Sequence, residues 1–326
     1  MKSHAIVRAL DVGYGNTKYS TANTAGGIRY KAFRSLAPTA ATTDISAGAM
    51  RKRDTVCVSI DDVCYEIGPD AEYVVDVEHV PVSDHSYVTT PEYRALCRGA
   101  LAYMETPRID VLVVGLPVTR VASHAAQLRA ELTGYHKLDD GRSIEVKKVI
   151  VIAQPIGGAL YTTFSSGDYN SFREQTTLTI DIGAGTSDAL VSRGLKAFPK
   201  RCETHAGGML AVLRQLADTI NESYGVECST LMLDKALRSG VLPVAGQKIP
   251  VSSMLDSARP IIDQAINALM ARVGKVDDID RIVLIGGGAP FFEPRVRHRF
   301  PNHEMSVCDA GIFANVRGFQ IAGTAS

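Results

Sequence analysis

A mixed α/β fold built from two similar halves is what this sequence predicts, and three observations predict it. Strand-like segments alternate with helical ones along most of the chain, the pattern of a mixed sheet with helices packed on it. A strand-turn-strand segment occurs twice, as DVGYGNTK at 11–18 and as DIGAGTSD at 181–188. The chain has 326 residues, 45% of them hydrophobic, too long for one small core and enough to fill two domains.

Taken in order, AIVRALDV, NTKYSTA and IRYKAF read as three short strands joined by turns at Gly13 to Gly15 and at Gly26 and Gly27, an antiparallel meander. From Pro38 to about Val88 the pattern is irregular and reads as a small inserted subdomain. It contains DTVCVSIDDVCYEIG, a hairpin turning at Asp61 and Asp62, which puts Cys57 and Cys64 diagonally on one face. TPEYRALCRGALAYM has helical spacing, with Thr90 as N-cap and Pro91 at the first position. The buried strand IDVLVVGLP, a helix near Arg120 to Leu132, the strand VKKVIVIA and a helix starting at Pro155 complete this half.

The second half opens on TTLTIDIGAGTSDALV, again strand, glycine turn, strand, followed by LKAFPKRCE. A long helix starts near Gly208 and ends at Gly225. Helical segments follow at STLMLDKALRSG and SSMLDSARPIIDQAINALMARVG, the second kinked or divided by Pro260. Then come a strand in DRIVLIGGGAP and a helix, FANVRGFQIAG, which returns late enough to pack on the first domain.

Bulk properties exclude several functions. Lys plus Arg and Asp plus Glu each total 35, so the chain lacks the cationic footprint of a sequence-independent DNA binder. The opening MKSHAIVRAL is broken by Arg8 and has no small-residue cleavage site, and no apolar run approaches a membrane span, so a soluble, cytoplasmic protein is expected. The six cysteines show no CxxC pair and no zinc spacing with histidine, which favours packing by reduced thiols. A Cys57–Cys64 disulfide is conceivable, though a cytosolic setting disfavours it. The basic runs RKR at 51–53 and PRVRHRF at 294–300 suit either an acidic partner or a solvated face, and the second reading is preferred.

The chemistry lies in the repeat. Asp11, Gly13, Gly15 and Thr17 match Asp181, Gly183, Gly185 and Ser187, residue for residue, 170 positions apart. One such turn is simply a tight connection; two, each led by an aspartate at a strand end, point to a shared task. Glycine lets backbone N–H groups approach phosphate oxygens, and hydroxyls at Thr17, Thr186 and Ser187 would add donors. Two facing turns would clamp a polyphosphate, Lys18 would neutralise its charge, and Asp11 and Asp181 suit Mg²⁺ held through water. No GxxxxGK[ST] motif is present. Gly286, Gly287 and Gly288 after RIVLI would let a flat ring lie close, an adenine side.

In this order the chain resembles the actin, Hsp70 and sugar-kinase superfamily over nearly its whole length. DVGYGNTK looks like the first phosphate motif, AQPIGGAL the first connecting helix, DIGAGTSD the second phosphate motif, VLIGGGAP the adenosine motif and FANVRGFQIAG the second connecting helix. Its compact length, VVGLPV and the pairing of DVGYGNTK with QPIGGAL look most like the ParM/StbA actin-like plasmid segregation group. The resemblance implies an actin-like ATPase fold: two duplicated βββαβα, RNase H-like domains flanking a nucleotide cleft that holds ATP or ADP with Mg²⁺. Domain I would span 1–165 plus 312–326, with the insert at about 36–90, and domain II 166–311. Carried over residue by residue, Asp11 and Asp181 take metal roles. Gly13, Tyr14, Gly15, Asn16, Thr17 and Lys18 line the nucleotide on one side, with Gly183, Ala184, Gly185, Thr186, Ser187, Gly207 and Gly208 on the other. Gln154 stands where relatives orient the attacking water; a helix-entry hydrogen bonder is its blander reading, and the motif context favours catalysis. Asp234 and Lys235 fall at the sugar edge, where a solvated helix face explains them nearly as well.

The function this implies is an ATPase that polymerises head to tail and moves plasmid DNA through a DNA-binding adaptor at a centromere-like site, with no direct DNA binding. A non-polymerising ATP-gated interaction protein shares every motif. A small-molecule kinase is less favoured, because Gln154 stands where such relatives supply a carboxylate base. An Hsp70-type chaperone is disfavoured because no peptide-binding segment follows the second connecting helix.

Overall fold

The computed structural model of the chain describes residues 5–22, 27–40, 53–75, 87–244 and 246–325. The turn at Gly26, Arg51 and Lys52 of the RKR run, and much of the expected insert lie outside the described residues.

The first half begins with β1 (Val7–Val12), β2 (Asn16–Ala22) and β3 (Ile28–Arg34), the antiparallel meander read from sequence. Next, β4 (Val56–Ile60) and β5 (Val63–Ile67) form a hairpin whose turn residues Asp61 and Asp62 are both left-handed, with φ of 49° and 64°. That is the two-residue turn whose twist matches the strands, and aspartate tolerates it. Helix α1 (Pro91–Ala102) starts where expected: the Thr90 hydroxyl accepts the Tyr93 N–H at 3.2 Å. After it come β6 (Arg108–Ile109), β7 (Val111–Leu116), α2 (Val121–Leu132), β8 (Gly134–Lys137), β9 (Ser143–Val146), β10 (Val149–Ala153) and α3 (Gln154–Ser166). The expected strand VKKVIVIA is therefore two: Val146 closes β9, which pairs with β8 and β6, while β10 joins the main sheet.

The second half contains α4 (Tyr169–Glu174), β11 (Thr176–Ile182), β12 (Ser187–Arg193), β13 (Lys196–Ala197), β14 (Glu203–His205), α5 (Met209–Tyr224) and α6 (Thr230–Ser239). A small hairpin of β15 (Val241–Val244) and β16 (Gln247–Pro250) precedes α7 (Arg259–Val273), β17 (Arg281–Ile285), α8 (Ala289–Arg299), β18 (Glu304–Val307) and α9 (Ala314–Thr324). Pro260 does divide its segment: a 3₁₀ stretch ends at Ala258 and α7 begins with the proline in its first turn, where no N–H is needed. Gly225 and Gly240, both left-handed, end α5 and α6.

The two main sheets have one topology. The first runs β10-β7-β1-β2-β3; the second runs β18-β17-β11-β12-β13, with β14 also on β12. In each, the glycine hairpin lies at the centre and parallel strands follow on one side. Each sheet has its own core, Leu10, Leu96, Leu112 and Val114 in the first and Leu178, Ile180, Leu216 and Ile282 in the second.

Helices α3 and α9 join them. Val316 and Phe319 of α9 pack with Ala9 and Val113 of the first sheet, and the Gln320 amide donates to the Val7 carbonyl. Tyr161 of α3 packs with Val283 and Ile285 of the second sheet. The helices cross at Gly157 and Gly318, so close that a Cβ on Gly318 would overlap the Gly157 carbonyl. Among the described residues no helix is long and apolar enough to cross a membrane.

Candidate active site

The β1–β2 and β11–β12 turns are built by the same bonds. The Gly13 N–H donates to the Asn16 carbonyl at 3.1 Å, and the Gly183 N–H to the Thr186 carbonyl at 2.9 Å. The turns meet tip to tip: a Cβ on Gly15 would lie 2.8 Å from the Ala184 Cβ, and one on Gly185 would lie 2.5 Å from Tyr14 Cγ. Tyr14 in turn stacks on Tyr87, ring centroids 4.3 Å apart. Between the halves lies a cleft of about 340 Å³, within the range of small-ligand sites.

Strand register decides which side chains reach this cleft. Asp11 pairs with Lys18 and Asp181 with Asp188, so these four share the cleft face. Thr17 and Ser187, one position earlier on their strands, point the other way. The Thr17 hydroxyl bonds Ser35 Oγ at 2.9 Å, and the Ser187 hydroxyl donates to the Gly207 carbonyl at 2.8 Å, so neither is left for phosphate. Thr186 does line the cleft, as do Gly13, Tyr14, Gly15, Asn16, Lys18, Gly183 and Ala184.

Each leading aspartate is gripped by an amide from a connecting helix. Gln154 Nε2, at the start of α3, donates to Asp11 Oδ1 at 2.7 Å, while Lys18 Nζ holds Asp11 Oδ2 at 2.8 Å. Asn315 Nδ2, at the start of α9, donates to Asp181 Oδ2 at 2.6 Å, and its Oδ1 accepts the Gly158 N–H at 3.1 Å. Sequence reading passed over Asn315, although the signal was present: QPIG at 154–157 and NVRG at 315–318 share an amide three residues before the crossing glycine.

Asp188 was also unassigned. Its Oδ1 accepts the Val118 N–H at 3.0 Å and the Thr204 hydroxyl at 2.5 Å, which ties the end of β7 to the second sheet. Burial, then the charge of Asp188, pushes the Asp181 carboxyl up to about 7, and burial pushes Asp188 up to about 6. Three buried carboxylates, Asp11, Asp181 and Asp188, thus line one cleft, and burial makes two of them resist ionisation.

The remaining expectations divide. Gly286, Gly287 and Gly288 line the cleft, and Gly286 is left-handed, with φ of 90° and space for a Cβ closed by Asp181 Oδ1 at 2.5 Å. Gly207 and Gly208 do not line it; the first amides of α5 are spent on the turn, Met209 N–H to the Gly183 carbonyl at 3.0 Å and Leu210 N–H to that of Ala184 at 2.8 Å. Gly185 is turned into the Tyr14 contact rather than the cleft. Asp234 lines the cleft and pairs across its mouth with Arg34 at 2.6 Å. Lys235 is exposed and does not line it: the residue sharing the face of Asp234 is Arg238, one turn on, at 3.0 Å.

The described arginines of the basic runs carry partners. Arg53 bonds Glu66, Arg295 forks onto Asp263, Arg297 pairs with Glu293, and Arg299 bonds Asn267. All six cysteines are free thiols.

Comparison with known proteins covers both halves. The family model "Actin like proteins N terminal domain" matches residues 9–157, and "Archaeal actin homologue MreB-like, C-terminal" matches 179–298. No curated protein sequence matches the chain. Solved structures do, over nearly full length. The archaeal actin homologue Ta0583 in complex with ADP is 19% identical, covering 98% of this chain and 100% of that one, with a TM-score of 0.79. The apo pSK41 ParM protein is 19% identical over 99% and 98%, with a TM-score of 0.70. A ParM from a 15-stranded filament of Clostridium botulinum is 17% identical over 99% and 100%, with a TM-score of 0.72. With its two family-model matches, its duplicated sheets and its paired glycine turns, the chain belongs to the actin-like protein family.

Proposed function

We propose that the chain is a cytoplasmic ATPase that binds ATP with Mg²⁺ between its halves, polymerises head to tail, and positions plasmid DNA through a DNA-binding adaptor. The observation that carries this reading is the mirrored pair of amide–carboxylate contacts, Gln154 on Asp11 and Asn315 on Asp181, facing each other across the cleft. In support of the wider reading, one structural neighbour was solved with ADP and another as a filament.

In this reading Gly13, Gly15, Asn16 and Lys18 hold the phosphates from one side and Gly183, Ala184 and Thr186 from the other. Gly286 to Gly288 leave room for the base, with Asp234 and Arg238 at the sugar edge. Asp11, Asp181 and Asp188 would hold Mg²⁺ through water; when bound, the ion neutralises phosphate charge. Gln154 orients the attacking water. Its Nε2 is fixed by Asp11, and its Oε1 has no partner among the described residues, so the carbonyl is available to accept from water. An amide there is a positioning group, not a strong base, which implies slow turnover.

Closure of the cleft by nucleotide would favour the polymerising shape, and hydrolysis would release it. Light scattering and negative-stain microscopy, with ATP, with a non-hydrolysable analogue and without nucleotide, test the assembly step. Monomers unchanged at high protein concentration with ATP and Mg²⁺ defeat the filament reading; absence of nucleotide binding defeats the whole.

A further inference from the structure

A second cluster of ligating groups lies away from the cleft, where the β4–β5 hairpin meets the β8–β9 turn. The left-handed turn at Asp61 and Asp62 fixes the hairpin register, opposing Ser59 to Cys64 and Cys57 to Glu66. Cys57, Ser59 and Cys64 therefore share one face. Asp139, in the β8–β9 turn, reaches that face from 75 residues away along the chain: Cys64 Sγ donates to Asp139 Oδ2 at 3.4 Å and Ser59 Oγ does so at 3.5 Å. One sulfur from each cysteine and one Asp139 oxygen all lie within 4.8 Å of one another.

We propose that Cys57, Cys64 and Asp139 form a binding site for a zinc-class transition-metal ion, with a fourth position open to solvent, that pins the β4–β5 hairpin to the β8–β9 turn. Geometry favours a shared ion over a disulfide. Diagonal neighbours in an antiparallel pair stand about 7–8 Å apart at Cα, outside the range of about 4.4–6.8 Å that a disulfide spans. A tetrahedral ion with bonds of about 2.3 Å to sulfur and about 2.0 Å to oxygen needs ligand atoms about 3.5–4 Å apart, a small adjustment of the cluster.

Charge points the same way. Among the described residues Asp139 has no ion-pair partner, so its carboxylate is not already neutralised by any of them. Two soft thiolates with one carboxylate select zinc-class ions over Mg²⁺ or Ca²⁺, so this site and the nucleotide cleft would not compete for one metal. The half-buried cysteines and exposed aspartate leave one side for a water ligand. Binding forms two metal–sulfur bonds and one metal–oxygen bond, and the displaced thiol protons pass to solvent, up to about two per ion.

The test is Co²⁺ titration of the reduced full-length protein, read by the thiolate-to-cobalt absorption band, with Zn²⁺ as competitor. The expected result is one ion per chain, displaced by Zn²⁺ and not by excess Mg²⁺, with affinity reduced at least tenfold in Cys64→Ser and in Asp139→Asn. Asp139 is exposed, so the second variant keeps its fold if the first does not. Cys228→Ser, in the other half, should bind normally. The proposal is overturned by absence of a thiolate band, by unchanged affinity in Asp139→Asn, or by a Cys57–Cys64 disulfide found by mass spectrometry in protein purified without reductant. None of these results bears on nucleotide binding.

Discussion

Asp181→Asn should make the protein more stable while it stops ATP turnover. The substitution keeps the shape and leaves an amide oxygen to accept from Asn315 Nδ2, which now bonds Asp181 Oδ2 at 2.6 Å, and it removes a buried charge. Burial and the neighbouring Asp188 raise this carboxyl from 3.8 to about 7. Between those values the folded chain holds a proton that the unfolded chain has already lost, so the stability contributed by this carboxyl is fully present below about pH 4 and is lost as pH rises through 7. At about 1.4 kcal/mol per tenfold change in proton affinity, the ionised carboxylate costs about 4 kcal/mol at pH 8 and less than about 1 kcal/mol at pH 4. Urea unfolding in EDTA, at pH 4, 6 and 8, reads the difference directly. The variant should gain stability at pH 8, gain little at pH 4, and show no ATP turnover, because a carboxylate that would face the metal is gone. A loss of stability at pH 8, or a difference independent of pH, would refute this account of the cleft.

Four further outcomes follow from the same geometry. Gln154→Ala should lower kcat for ATP at least tenfold with nucleotide affinity changed much less, in single-turnover assays; an equal loss in both would make Gln154 a structural residue. Arg34→Ala removes the half-exposed bridge to Asp234 across the cleft mouth, worth up to about 1 kcal/mol, so ADP should leave up to about fivefold faster in stopped-flow displacement. Gly318→Ala places a methyl group on the Gly157 carbonyl and should cost about 1–3 kcal/mol by overpacking; an unchanged Tm would count against the close crossing. His136 is buried, its Nε2 2.9 Å from the Leu132 carbonyl, and burial lowers its pKa below 6.5. Its contribution is present above pH 6.5 and lost as pH falls, so His136→Gln should flatten the decline in urea midpoint between pH 6.5 and 5.

Much of the fold was legible because local chemistry and tertiary structure agree there. The paired glycine turns, the Thr90 cap, the Asp61–Asp62 turn and the division at Pro260 are each decided within a few residues. What escaped depended on partners distant in sequence or on unusual local composition. Helix α8 holds Pro290 and Pro294, the second inside the helix, and its basic residues looked like a surface run. The β8–β9 and β15–β16 hairpins are short, and Pro243 and Pro250 mask the second.

In the site, residue type was easier to read than direction. Thr17 and Ser187 have suitable hydroxyls, but alternation along their strands turns them inward, a fact set by the register of Asp11 with Lys18 and Asp181 with Asp188. Lys235 failed for the same reason on a helix, where its neighbour Arg238 shares the face of Asp234. The cysteines showed no metal spacing because a hairpin register and a turn 75 residues away bring Cys57, Cys64 and Asp139 together.

The connecting helices give the molecule its architecture of exchange. Helix α3, made by the first half, packs Tyr161 on the second sheet, and α9, made after the second half, packs Phe319 on the first. Each half has in effect lent an arm to the other, the arrangement of a swapped dimer whose two copies now lie on one polypeptide. Such a chain cannot part its halves by simple translation, because each would carry off a helix the other needs. The close crossing of these two helices is at Gly157 and Gly318, and the amides of Gln154 and Asn315 sit at the start of the same two helices. The grip on Asp11 and the grip on Asp181 are thus each built into a helix that both sheets share.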